Sequence, residues 1–321
     1  MRLLFVGGTG PVGHSAVPIL LSAGHEVALA HSGRHEAFDE LEHLHGPRAE
    51  LLGAGGPAER WRPEVVIDTF AGGATAGKAG ELARFARRVG LEQVVAVSSM
   101  DVYRQAGEAG VDGHVVAELP TGTLPIREDA ALRDRGSVKH WEAHDNVAME
   151  AALGGAERLT ILRPGAIYGP HHQRAVLREW FLVGRVARGE RRLGLPMGGT
   201  QIFHRVALDR VGRAIAAAIE RAPAGRWACN VGDPGVVTYG ALARLVAERL
   251  DWAWELVPAA QTDPEHDHPW NVRHPVHAAV RRLELDLEVL EPEPIAATIG
   301  QIEWLWEHRD ELERELARRP C

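Results

Sequence analysis

The chain has 321 residues, of which 45% are hydrophobic and 25% charged, with a formal net charge of −8. That length supports one large domain, or a large domain with a smaller lobe, and the ordinary composition excludes extended disorder. The negative balance argues against nucleic-acid and anionic-membrane partners, no apolar run approaches the roughly 20 residues of a membrane span, and two cysteines, one of them terminal, make no disulfide framework.

In chain order, Leu3-Leu4-Phe5-Val6 reads as a short buried strand that runs at once into glycines. Val12 to Leu21 reads as a helix ended by Gly24, and Glu26 to Ala30 as a second strand. Val65-Val66-Ile67 and Val94 to Val97 are further apolar strands. Between them Leu82, Phe85, Ala86 and Val89 keep helical spacing, and Gly90 stops the helix. Strands alternating with helices imply an α/β fold with a parallel sheet covered on both faces. Thr160-Ile161-Leu162 reads as a strand, and Arg210 to Arg221 and Tyr239 to Leu250 as helices. Pro258 to Pro275 reads as a long ordered loop. Thr298 to Arg318 reads as one terminal helix burying Ile302, Leu305, Trp306, Leu312 and Leu316. The chain begins directly in a strand, without a leader, so a cytoplasmic location is expected.

The first turn carries the clearest chemistry. Gly7, Gly10 and Gly13 are spaced G-x-x-G-x-x-G between a strand and a helix. Glycine permits the tight turn and lets a pyrophosphate approach the backbone. The helix N-terminus over Gly10, Pro11, Val12 and Gly13 supplies the positive dipole end, and its free N–H groups come from Gly10, Val12 and Gly13, since proline has none. An acid that would hold an adenosine ribose is expected about 20 residues further on. His31-Ser32-Gly33-Arg34-His35 contains none. Ser32 and Arg34 suit a 2′-phosphate, which favours NADP(H) over NAD(H).

Further motifs carry a resemblance. Gly7 to Gly13, Val97-Ser98-Ser99-Met100-Asp101-Val102-Tyr103, Leu162-Arg163-Pro164-Gly165-Ala166-Ile167-Tyr168-Gly169-Pro170, Phe203-His204-Arg205-Val206 and Cys229-Asn230-Val231-Gly232 occur in the order of the extended short-chain dehydrogenase/reductase family. The chain resembles its NAD-dependent epimerase/dehydratase group. The resemblance implies a doubly wound, Rossmann-type sheet with a smaller C-terminal substrate lobe. Residues 1–165 and a return segment at 201–235 would form the dinucleotide domain. Residues 166–200 and 236–321 would form the lobe. It also implies a bound nicotinamide dinucleotide, a small-molecule substrate and a homodimer. Ser98, Pro164 and Gly165 would lie at the cofactor, and Ser99, Asp101, Tyr103 and Tyr168 at the reacting end.

The family's chemistry rests on a Tyr-x-x-x-Lys pair on one helix face, with the lysine charge lowering the tyrosine pKa. This chain has three tyrosines, and Gly107, His172 and Ala243 stand four residues after them, so the pair is absent. On an expected helix over 138–153 the alignment puts Glu142 at the tyrosine position and Asn146 at the lysine position. Asp101, His144, Asp145, His171 and His172 are neighbouring candidates, and Trp141 and Trp180 could line a pocket. His266, Asp267, His268 and His274 fit no tight ligand spacing, and no metal is expected. The expected function is an NAD(P)-dependent epimerase, dehydratase or reductase with a substituted acid/base, acting on a nucleotide sugar or secondary metabolite. The alternatives are a non-redox isomerase, lyase, hydrolase or cyclase, and a non-enzymatic dinucleotide-binding regulator.

Overall fold

Apolar residues at successive strand positions face opposite sides of the sheet, and this alternation organises the structure. The computed structural model describes residues 1–109, 122–137, 142–173, 176–260, 268–291, 293 and 295–318. Trp141, Lys139, His266, Asp267 and Cys321 lie outside the described residues.

The N-terminal half runs β1 (Arg2–Val6), α1 (Pro11–Ser22), β2 (Glu26–His31), β3 (Glu42–His45), α2 (Arg48–Leu51), α3 (Pro57–Trp61), β4 (Val65–Asp68), α4 (Ala76–Val89) and β5 (Gln93–Val97). There follow α5 (Arg104–Glu108), α6 (Asn146–Ala152), β6 (Arg158–Pro164), β7 (Ala166–Tyr168), α7 (Trp180–Ala187) and β8 (Arg192–Pro196). Then come β9 (Arg205–Ala207), α8 (Leu208–Arg221), β10 (Gly225–Val231), α9 (Tyr239–Arg249), β11 (Glu255–Ala259), α10 (Arg281–Leu285), α11 (Ala296–Glu307) and α12 (Arg309–Arg318).

Seven strands pair in parallel in the order β10-β6-β5-β4-β1-β2-β3. Leu3, Phe5, Val65, Ile67, Val95 and Val97 point into one core, shared with α1 and α8. Leu4, Val6, Val66, Val94 and Ala96 point into the other, shared with α4 and α6. Strand order reverses between β1 and β4, which places a crevice at their carboxyl ends. A third core joins α7, α9, α11 and α12, with β8 paired to β11 beside it. No described helix is long and apolar enough to cross a membrane.

Three expectations change. The helix expected over 138–153 is observed only from Asn146, because the Asp145 carboxylate caps it by accepting from the Val147 and Ala148 N–H groups. Glu142 therefore sits in a turn ahead of α6, and does not share a helix face with Asn146. The single terminal helix is two, α11 and α12, meeting at His308. Pro258, expected in a loop, lies in β11.

The β1–α1 turn is defined by what it excludes. Gly7 has φ +81°, and a Cβ there would come within 2.5 Å of Thr69 Oγ1. A Cβ on Gly13 would sit 1.7 Å from the Gly8 carbonyl oxygen. Gly13→Ala is expected to lower stability by about 3 kcal/mol, read as the chemical-denaturation midpoint.

Candidate active site

At the carboxyl ends of β1, β2 and β4 the structure holds a cleft of about 1000 Å³. Its floor is the first turn, through Gly7, Thr9 and Gly10. Gly10 is the N-cap of α1 and has no neighbour closer than 3.7 Å to a hypothetical Cβ, so packing within the chain does not explain this glycine. The open space above it does. The first turn of α1 contains no acidic residue, so nothing offsets its positive end. Pro11, Val12 and Gly13 form that turn beneath the cleft.

Ser32, His35 and Glu36 make the wall after β2. Arg34 is exposed and outside that wall. Arg48 and Lys78 approach from α2 and α4. Arg48 is ion-paired with the buried Asp68. Lys78 donates from Nζ to the carbonyls of Ala71 (3.0 Å) and Gly73 (2.8 Å). Burial and the nearby Arg48 hold its ammonium pKa below the ordinary value. Its spacing from any tyrosine gave no signal, so a search confined to Tyr-x-x-x-Lys overlooks it. His171, His172, Gln173 and Glu315 close the opposite side.

Behind the loop at 71–74 lies the segment His144-Asp145-Asn146. The Asp145 N–H donates to Ala74 O, and the Ala74 N–H donates to His144 Nδ1. Asn146 donates from Nδ2 to both oxygens of Asp101, at 2.9 and 3.0 Å, and lies 3.1 Å from His144 Nε2. The Arg133 guanidinium lies 3.8 Å from Asp101 and 3.1 Å from Asp145. Ser99 caps the same corner, accepting from the Asp101 N–H. The structure thus brings Ser99, Asp101 and Asn146 together, adds His144, and leaves Glu142 exposed outside the cluster.

The other expected residues sit in structural networks. Tyr103 is fully buried; its hydroxyl donates to Asn230 (2.6 Å) and accepts from Arg163 (3.0 Å). Burial pushes its pKa up to about 12, which keeps the phenol protonated near neutrality. Arg163 is paired with both oxygens of Glu150, and Ser98, expected at the cofactor, donates to the same carboxylate. Tyr168 is also buried; it donates to Asp233 (2.8 Å) and lies under the Arg205 guanidinium. Pro164 lies within the β6–β10 ladder, and Gly165 is required because a Cβ would meet His204 O at 2.4 Å. Neither lines the cleft. Tyr239, the third tyrosine, stacks on His268 at 3.8 Å between ring centres. Trp180 packs on the third core.

Cleft and sheet together define the class: a doubly wound, Rossmann-type α/β fold with its cleft at the point where strand order reverses. No family model and no curated protein matches the sequence. Among solved structures it is similar to MoeE5 in complex with UDP-glucuronic acid and NAD (21% identity, 97% of this chain and 100% of that one, TM-score 0.69). It is also similar to a UDP-glucose 4-epimerase from Thermotoga maritima with UDP-glucose (16%, 96% and 100%, TM-score 0.71). A third is TunA, an NAD-dependent NDP-hexosamine 5,6-dehydratase (19%, 96% and 98%, TM-score 0.69).

Tyr103→Phe is expected to cost about 1–3 kcal/mol by leaving Arg163 and Asn230 short of a partner, with dinucleotide affinity unchanged in calorimetry. A second expectation concerns acid. Burial lowers His171 and His204 from 6.5 to about 4. In the unfolded chain both gain a proton near 6.5, whereas the folded chain gains it only near 4, so stability falls as pH drops through that window. Melting temperature should decline from neutral pH toward pH 4, and His171→Gln should flatten the decline.

Proposed function

We propose that the chain is an NAD(P)-dependent enzyme of the epimerase/dehydratase type, acting on a hydroxyl- or carbonyl-bearing small molecule such as a nucleotide sugar. The observation that carries this reading is the open glycine cradle: Gly10 is bare for no reason internal to the chain and stands at an uncompensated helix N-terminus. A nicotinamide dinucleotide fits that cradle, and when bound it would supply the hydride acceptor or donor. Gly7, Thr9 and Gly10 would hold the pyrophosphate, with Lys78 offering the nearby ammonium. At the adenosine corner a 2′-phosphate would draw on Ser32 and on Arg34 turned inward, which supports a preference for NADP(H). The similarity to MoeE5 in complex with NAD and to the NAD-dependent TunA supports the cofactor class.

Proton movement falls to a different set than a tyrosine–lysine pair. Asp101 is a buried carboxylate held in place by Asn146, Ser99 and Arg133. His144, fixed through Nδ1 by the Ala74 N–H, turns Nε2 toward that cluster. We assign acid/base work to Asp101 and His144, with Asn146 as the positioning residue. Burial of all three tyrosines supports a non-phenolic mechanism.

The test is calorimetry with NAD+ and NADP+ followed by a nucleotide-sugar panel. Gly10→Ala should fold normally and lose dinucleotide affinity by about tenfold or more, and Arg34→Ala should weaken NADP+ more than NAD+. Unchanged binding in Gly10→Ala would remove the cradle from the account. Binding without turnover would favour a dinucleotide-dependent regulator, and turnover without any dinucleotide a non-redox enzyme.

A further inference from the structure

We infer that His31, His43, His45 and Glu36 form a binding site for a zinc-like divalent transition-metal ion at the outer edge of the sheet, beside the adenosine corner of the cleft. The placement follows from strand register. In the β2–β3 ladder His31 is directly paired with His45. His43 stands two residues before His45, hence on the same face, while Leu44 between them turns to the opposite face and is buried in the core. Glu36 returns from the loop after β2 to the same point.

The ligand atoms of these four side chains all lie within 4.8 Å of one another. His31 Nε2 and His43 Nδ1 are 2.8 Å apart. One Glu36 oxygen lies 3.3 Å from His43 Nδ1 and 3.6 Å from His31 Nε2, and the other lies 3.3 Å from His45 Nε2. Three imidazole nitrogens and one carboxylate suit zinc or cobalt rather than calcium or magnesium, which take oxygen ligands.

The surroundings of His43 are arranged as they are around a metal-bound histidine. His43 donates from Nε2 to the Phe38 carbonyl at 3.1 Å, which leaves Nδ1 as the bare nitrogen facing the cluster. Phe38 itself is held at φ +63°, an uncommon conformation for a side chain of this size, and that conformation sets the carbonyl. His31 Nδ1 accepts from the Gly33 N–H at 3.2 Å, so its ring proton sits on Nε2, directed at His43. Metal uptake at Nε2 would shift that proton to Nδ1, keeping the ring neutral, and exchange the Gly33 contact for the metal bond. Because β3 is the edge strand and Glu36 also lines the cleft, the ion would tie the sheet edge, the loop and the cleft wall into one unit.

The experiment uses tag-free, chelator-stripped full-length protein titrated with Co2+ and then Zn2+. The expected result is saturation at a single equivalent, with the intense visible bands of four-coordinate cobalt, displaced by zinc. His45→Ala and Glu36→Gln alter partly exposed side chains, and their metal-free melting temperatures should match the parent. Both should weaken zinc binding by roughly 100-fold or more. His172→Ala, which disrupts the separate His172, Glu311 and Glu315 group, should leave it unchanged. The inference is overturned if cobalt gives only the pale six-coordinate spectrum, if His45→Ala binds zinc like the parent, or if His172→Ala is the variant that loses it. None of these readouts involves a nucleotide, so failure here and failure of the dinucleotide reading are separately visible.

Discussion

The contact on which the remaining architecture depends is the approach of α1 to the turn that precedes it. Gly13 and the Gly8 carbonyl come so close that no side-chain atom fits between them. This contact brings the N-terminus of α1 up against the end of β1, aims its free N–H groups into the crevice, and lets Ala16, Val17 and Leu20 seat in the core that β1 and β4 share. Were α1 to stand further off, the helix would still form, but its positive end would no longer face the point where strand order reverses. The helix dipole becomes useful to a ligand only through this packing.

A second constraint governs the ground behind the cleft. Glu150, Arg163, Tyr103 and Asn230 form one buried chain of hydrogen bonds across α6, β6, the segment after β5, and β10. A buried charge pair of this kind stands only when nearly every polar atom is answered, and removing one member strands the others. That demand draws Tyr103 inward, where it is fully buried. It also explains why a strand-end serine, Ser98, is occupied by a carboxylate. The polar cluster of Asp101, Asn146 and His144 is built one layer away, against the 71–74 loop, from residues outside the inner network.

The histidines divide by environment. His171 and His204 are neutral because burial penalises their charge. His31, His43 and His45 are instead gathered on one sheet face around a single carboxylate. The same residue type therefore serves as a packed polar filler in one region and as a convergent donor set in another, and the difference lies in the number of neighbouring lone pairs that share a point in space.

The core of the fold was legible in the chain itself: apolar strands, the glycine turn, the helices stopped by Gly24 and Gly90, and the absence of any tyrosine four residues before a lysine. Each depends on local periodicity or on counting, and neither requires knowledge of distant neighbours. The short polar strand Glu42–His45 gave no such signal, since its alternation buries only Leu44. The start of α6 at Asn146 was hidden because a cap is decided by one carboxylate and two N–H groups. The burial of Tyr103 and Tyr168, the arrival of Lys78 at the cleft, and the meeting of His31 with His43 and His45 were decided by tertiary structure alone. The partners of Tyr103, Tyr168 and the three histidines come from separate strands and loops that the folded sheet brings within bonding distance, and Lys78 reaches the cleft because α4 carries it to the carbonyls of the 71–73 loop.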